Sequence, residues 1–520
     1  MHAGSRQPSA SGRVRRVVAA LAIGLLAIGA SACGSSSGGK KSQSKVLRLG
    51  FERDVLSWDP DNSFETAGLG AIRAVYQGLV QYAPGSTKVV GLLATDWKIS
   101  PDGKTYTFTL RKGVKFDDGS PLTSEAAKAS LMRRWKDPKL TLSYFLYSVK
   151  QIETPDPQTL VLKLSAPQTS LIDNLASPWG PKIIGPDALT KHKGSDNSRA
   201  WLNGHADGTG PFRLTSAKTG QGYTLERNPS YWGTPAKLEK VEISIVPDNG
   251  QRILKLRSGT IDAALNGYPF EQLKNLPPGL TVHSYRNTSL EVAAINVSGR
   301  LKDTEVRHQV AAAIKPDEWR KDAFGEYSNA ATSLFPASMI KADQPFEVPP
   351  ASGGAKVPSV RIAYISDDVA TQSRVADLMI AQFHQAGIDA SAHAIPIDQA
   401  LAYQKKPDKA PWDILVFSGI PDSADPGSAA TLFYGTGGGI NWNGYSNPKV
   451  DKLFAKADAE TDRAKRNALY LQGAKIAFDD YAFVPIAEVY DVQVFHGKYC
   501  DFNSTPAVPW NVDLGTVRPC

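Results

Sequence analysis

Residues 105–111 alternate strictly: Tyr106, Phe108 and Leu110 against Thr105, Thr107, Thr109 and Arg111. That period of two predicts a half-buried strand. Pro101-Asp102-Gly103 before it and Asp118-Gly119 after it carry turn chemistry, because Gly tolerates positive φ and Asp bonds its own backbone. Thr123 and Ser124 then offer oxygens to open helix N–H groups, with Glu125 at the positive end of the helix. VLRLGF (46–51) alternates in the same way and marks where the globular part begins; Val241, Ile243 and Ile245 predict another strand. Ile253, Leu254 and Leu256 predict a short helix ending at Gly259, and Pro316 should end or restart the helix running up to it. Residues 359–418 read as strand, helix, strand, helix, strand. The strands are VRIAYI, IDASAHAI and DILVFSG, and the first helix puts Val375, Leu378, Met379 and Phe383 on one face. Successive β-α-β units build a parallel sheet, and such sheets bind ligands outside the carboxyl ends of their strands. The loop after DILVFSG is the place that rule selects. An amphipathic helix pair follows at 448–478, with Val450, Leu453, Phe454 and Ala457 on its first face.

The amino terminus follows a different pattern. Arg13, Arg15 and Arg16 precede an apolar run from Val17 to Ala32, and a Gly/Ser-rich polar stretch follows Cys33. This is a signal peptide rather than a membrane span, since the run is short and a flexible segment follows it. Ala30-Ser31-Ala32 before Cys33 resembles a bacterial lipobox, although Ala30 stands where that pattern prefers Leu. The resemblance implies cleavage before Cys33 and lipidation of its thiol, with 33–45 as a tether; cleavage after Ala32 without lipidation is the alternative. The seven cations ahead of residue 46 account for all but one of the formal +8. The net charge is therefore no argument for nucleic-acid binding. With 520 residues, 42% hydrophobic and 21% charged, the chain has enough material for about three domains and a substantial core. Cys500 and Cys520 remain after export and read as a disulfide fastening the C-terminal tail.

Catalytic motifs are missing from the sequence: no H-E-x-x-H, no G-x-S-x-G and no phosphate-cradling loop. The eight His are scattered, so no metal site and no cofactor is expected. The acid pairs Asp117-Asp118, Asp367-Asp368 and Asp479-Asp480 are read as solvated turns and caps, and the Gly435–Gly439 cluster as a pocket rim.

The run 91–126, GLLATDWKISPDGKTYTFTLRKGVKFDDGSPLTSEA, resembles the signature of bacterial family 5 extracellular solute-binding proteins. GTGPFRL, YTLERNPSYWG, LRSGTIDAAL, NVSGRLKDTEVRHQVAAAI and GYSNPKVD resemble further elements of that family. Together they cover most of residues 46–495. The resemblance implies an α/β, two-lobed periplasmic-binding-protein type II-like fold with an extra subdomain. Lobe I would be 46–284 plus 490–520, with the subdomain at about 79–203, and lobe II would be 285–489. It also implies a receptor, not an enzyme, that closes on an oligopeptide or dipeptide. Its partners would be an ABC permease and its ATPase, and the protein would be a monomer anchored to the outer face of the cell membrane. Asp422, in SGIPDSADP (418–426), stands three residues before Asp425-Pro426, where peptide-binding relatives place the Asp that pairs with the ligand's α-ammonium. The Trp preceding it in many such relatives is missing, and no Arg matches a carboxylate holder. Capping of the Pro-flanked turn is the other role open to Asp422. Trp442 on the Gly-rich rim is the second candidate, able to stack on a ligand or to anchor the rim; Trp58, Tyr268 and Trp179 are weaker ones. Oligosaccharide or metal-chelate cargo, a peptide-sensing receptor, and a surface hydrolase are the alternatives.

Overall fold

The computed structural model describes residues 45–140, 142–265, 268, 270–351, 353–365, 371–509 and 512–520. The signal segment, Cys33 and most of the tether lie outside the described residues, as do Asp367 and Asp368.

The opening strand, Val46–Phe51, buries Leu47, Leu49 and Phe51. It lies inside a seven-stranded sheet, whose order is Leu280–Tyr285, Asp491–His496, Ala263–Ala264, Val46–Phe51, Lys240–Ile245, Gly222–Arg227 and Phe212–Lys218. Its core includes Leu47, Trp58, Leu225 and Val241. A second sheet of six strands runs Ser328–Ala330, Phe483–Val489, Leu290–Ile295, Ile414–Gly419, Val360–Ile365, Ala390–Ile395. Its last three strands are parallel, as the β-α-β reading requires: Val360–Ile365 pairs in parallel with both neighbours. The intervening helix Thr371–Gln385 buries Val375, Met379 and Phe383, while Leu378 is half-buried.

A four-stranded antiparallel sheet, Ala94–Ile99, Thr105–Leu110, Thr159–Leu164 and Val149–Asp156, carries the alternating segment. Tyr106, Phe108 and Leu110 are buried in its core. Helix Ser124–Lys136 packs on it, with the Thr123 hydroxyl oxygen accepting the Ala126 N–H at 3.2 Å. Arg133 on this helix pairs with Asp59 and with Asp61, both at 2.6 Å, entirely out of water. Removing one partner from such a network leaves a charge stranded, so the helix and the 59–61 turn are fixed to each other.

The chain passes between the seven- and six-stranded sheets at 286–289 and again at Tyr490. Asn287 Nδ2 donates to Asp491 at 2.7 Å and ties the two crossings together. Pro316 restarts a helix, Pro316–Phe324, after Thr304–Ala313. The helix pair comprises Pro448–Ala459 and Arg463–Asp479. Cys500 and Cys520 form a disulfide across the tail, with Cα atoms 5.3 Å apart.

The short helix expected at Ile253, Leu254 and Leu256 is Asn249–Arg257; it buries Ile253 and Leu256 and leaves Leu254 63% exposed. One expectation needs correction. Asp117 is not a solvated turn residue. It accepts from Arg213 at 3.0 Å, and burial pushes its carboxyl up to about 7.

Candidate ligand-binding site

A cavity of about 640 Å³ lies against the carboxyl ends of the parallel strands, where the β-α-β pattern points. Ile365 and Phe417-Ser418 line it from strand ends, and Ile397 and Leu401 from the helix after Ala390–Ile395. The wall opposite comes from other parts of the chain: Arg53, Phe64, Glu65, Tyr144 and Trp179. Most of the lining is apolar. Phe64, Tyr144, Ile397 and Leu401, four of the few exposed large apolar side chains, all face this cavity. Exposed apolar surface gathered in one concavity marks a binding site rather than ordinary surface.

Asp422 lies in this apolar surround. Its carboxylate accepts the Tyr144 hydroxyl at 2.6 Å, and its backbone carbonyl accepts the Ser177 hydroxyl. Among the described residues no Lys, Arg or His forms an ion pair with it. Burial raises its pKa, partly offset by the Tyr144 hydrogen bond. The turn is capped by a different residue: Asp425 accepts the Gly427 N–H at 2.9 Å, heads helix Pro426–Ala429 and pairs with Arg466 at 3.1 Å. Asp422 is thus left with no local capping duty and with an uncompensated charge, which a cation entering the cavity would neutralise.

The other candidates separate cleanly. Trp442 lines the cavity and is also core: it is 3% exposed and meets Phe417 edge-on at 5.1 Å, with its Nε1 unpartnered among the described residues. Trp179 lines the cavity beside Phe64, and its Nε1 donates to the Glu65 carbonyl at 3.1 Å. Arg134 in turn donates to the Trp179 carbonyl, so the buried ion network also positions a cavity wall. Trp58 does not reach the cavity. It is fully buried against Tyr223, ring centres 5.3 Å apart. Tyr268 is likewise elsewhere, in the cluster of Leu256, Leu273 and Val494. Gly439, of the glycine cluster, does line the cavity.

Sequence reasoning did not find Arg53, Phe64, Glu65, Tyr144, Ile397 or Leu401. Arg53 is the single Lys or Arg in the described lining and stands 3.5 Å from Glu52. Burial raises the pKa of Glu65, opposed by the Gly68 N–H it accepts.

The two walls touch beside the cavity. The Ala424 N–H donates to the Tyr82 hydroxyl at 2.9 Å, Tyr82 also bonds the Asp173 carboxylate at 3.2 Å, and Thr169 donates to the Asp458 carbonyl at 2.9 Å. Asp173 is pushed up to about 7, first by burial and then by the charge of Asp425; Tyr82, Arg466 and Arg463 oppose the shift.

Two α/β lobes joined by two crossings, with an apolar cavity where they meet, define a solute-binding receptor. Residues 88–441 match the family described as bacterial extracellular solute-binding proteins, family 5 Middle, and the chain belongs to that family. It is 30% identical over 477 residues to the probable D,D-dipeptide-binding periplasmic protein DdpA of Escherichia coli K12, covering 84% of this chain and 87% of the relative. It is 28% identical over 451 residues to the glutathione-binding protein GsiB of Salmonella choleraesuis, covering 82% and 86%. The fold matches the periplasmic binding protein DppA of Helicobacter pylori, solved with the peptide STSA. There the TM-score is 0.76 at 23% identity, over 93% of this chain and all of the other. No helix among the described residues is long and apolar enough to cross a membrane.

Proposed function

We propose that this protein is the extracytoplasmic receptor of an ABC importer, and that it captures short peptides by their free amino terminus. The observation that carries the reading is Asp422: a carboxylate in an apolar cavity, bonded to one tyrosine hydroxyl and, among the described residues, to no cation. The α-ammonium would donate to Asp422, and the first side chains would lie against Phe64, Trp179, Phe433 and Trp442. The cavity of about 640 Å³ has the size of a small-ligand site, about 300–1,000 Å³. Relatives named for D,D-dipeptides and glutathione, and a fold neighbour holding STSA, point to the same ligand class.

In this reading lobe I is 46–284 with 490–520 and lobe II is 285–489. Ligand drives the lobes together because the closed state offers contacts that the open state lacks. The closed receptor delivers its cargo to a permease and ATPase. It works as a monomer without catalysis, held to the membrane by a lipid on Cys33. Mass spectrometry of ligands released from the purified protein by mild denaturation tests the proposal. A set of short free-amine peptides is the expected result; sugars or metal chelates would refute it.

A further inference from the structure

A second cavity, of about 700 Å³, shares no lining residue with the ligand chamber. It is walled by helix Leu69–Val75, by the 231–235 turn and by the tail from Val512 to Arg518. Arg73, Lys182 and Tyr231 are among the donors that line it, and Asp501 and Asp513 line it too. Arg73 makes no hydrogen bond or ion pair among the described residues; burial lowers its pKa, and the charge of Asp513 opposes that. Lys182 is 7% exposed, gives hydrogen bonds to the carbonyls of Gly180 at 2.8 Å and Ser177 at 3.0 Å, and makes no other hydrogen bond among the described residues. The Tyr231 hydroxyl accepts from Gln77 at 3.0 Å and donates its own proton to no described residue. Burial and the neighbouring Arg134 and Arg73 push the Lys182 amine well down, with Asp61 opposing.

Arg73 is half-buried and Lys182 buried, neither has a carboxylate within ion-pair distance among the described residues, and Arg73, Lys182, Lys237 and Arg518 outnumber Asp501 and Asp513 in the lining, so an anion would offset the desolvation of the two. A guanidinium fork, a phenol with its proton unspent and an amine that an incoming anion would hold protonated are the groups that bind a carboxylate or phosphate.

We propose that this cavity binds a small organic anion, carboxylate or phosphate, between Arg73, Lys182 and Tyr231, independently of the ligand chamber. The purified full-length protein is titrated by calorimetry with sodium citrate and with sodium phosphate, ionic strength being held constant with sodium chloride. Saturable one-site binding is expected. Tighter citrate identifies a carboxylate ligand, tighter phosphate a phosphoryl one, and equal affinity a general anion site. Arg73→Gln should weaken binding by about tenfold or more, the scale of a lost hydrogen bond to a charged group, while peptide affinity stays unchanged. Tyr231→Phe, which removes one oxygen, should weaken it severalfold and carries the test if Arg73→Gln does not fold. Absence of saturable heat with both anions, or full affinity in the variants that fold, overturns the proposal.

Discussion

Replacing Asp422 with Asn removes the charge and keeps the shape, including an oxygen for Tyr144. Its effect can be estimated from the site. The carboxylate has one neutral hydrogen bond at 2.6 Å and no ion pair among the described residues. A bound ammonium therefore supplies its charge compensation. Losing a hydrogen bond to a charged group costs roughly 1.5–3 kcal/mol, which corresponds to about 10- to 150-fold in Kd. An N-acetylated peptide has no ammonium to lose, so its affinity should be weak in the wild type and little changed in Asp422→Asn. Calorimetry with matched free and acetylated peptides reads both. The pH dependence has a definite sign. Burial raises the carboxyl pKa without ligand, and the ammonium lowers it again, so binding releases a proton. Affinity should therefore fall as pH drops through the raised pKa, and this slope should vanish in Asp422→Asn. Equal wild-type affinity for free and acetylated peptides, or a variant that keeps the preference, would refute the assignment.

Asp173 is held at about 7 by burial and by the neighbouring Asp425, far above the ordinary carboxyl value. The stability penalty for ionising it grows as pH rises from about 4 to about 7 and is constant above; Asp173→Asn should raise the melting temperature at pH 8 and leave it nearly unchanged at pH 4. Cys520→Ser, or reduction, should destabilise by roughly 3 kcal/mol in the chain-entropy model for a loop of this length, read by thermal melting with and without reductant. Trp442→Ala should cost about 3–5 kcal/mol as a buried aromatic deletion; Trp442→Phe should cost far less, because it also removes a buried N–H that has no partner among the described residues. Denaturant titration separates the two variants.

The strands and helices that depend on local periodicity were legible in the sequence. Thr105–Leu110, the Thr123 cap and the parallel trio around Val360–Ile365 all follow from spacing and turn chemistry. Because the trio was legible, so was the position of the cavity at its strand ends. Asp422 was legible through its place before Asp425-Pro426, but its role as cap or as free carboxylate was not. That distinction rests on Asp425 taking the Gly427 N–H, a contact no periodicity encodes. The opposite wall was hidden because Arg53, Phe64, Tyr144 and Trp179 come from separate segments that meet only through tertiary packing. Trp58 misled because a Trp in a Pro-flanked turn reads alike whether it faces a ligand or, as here, Tyr223.

The paired crossings at 286–289 and Tyr490, laced by Asn287 and Asp491, resemble the two knuckles of a door hinge. Swinging about their common line bends a few backbone dihedrals, whereas sliding one half past the other would break the lacing. If the lobes close as proposed, a molecule too bulky for the chamber would leave the door ajar instead of shifting a wall. The gap is then widest at the far edge, where Tyr82 would lose Ala424, so that edge reports whether the cargo fits.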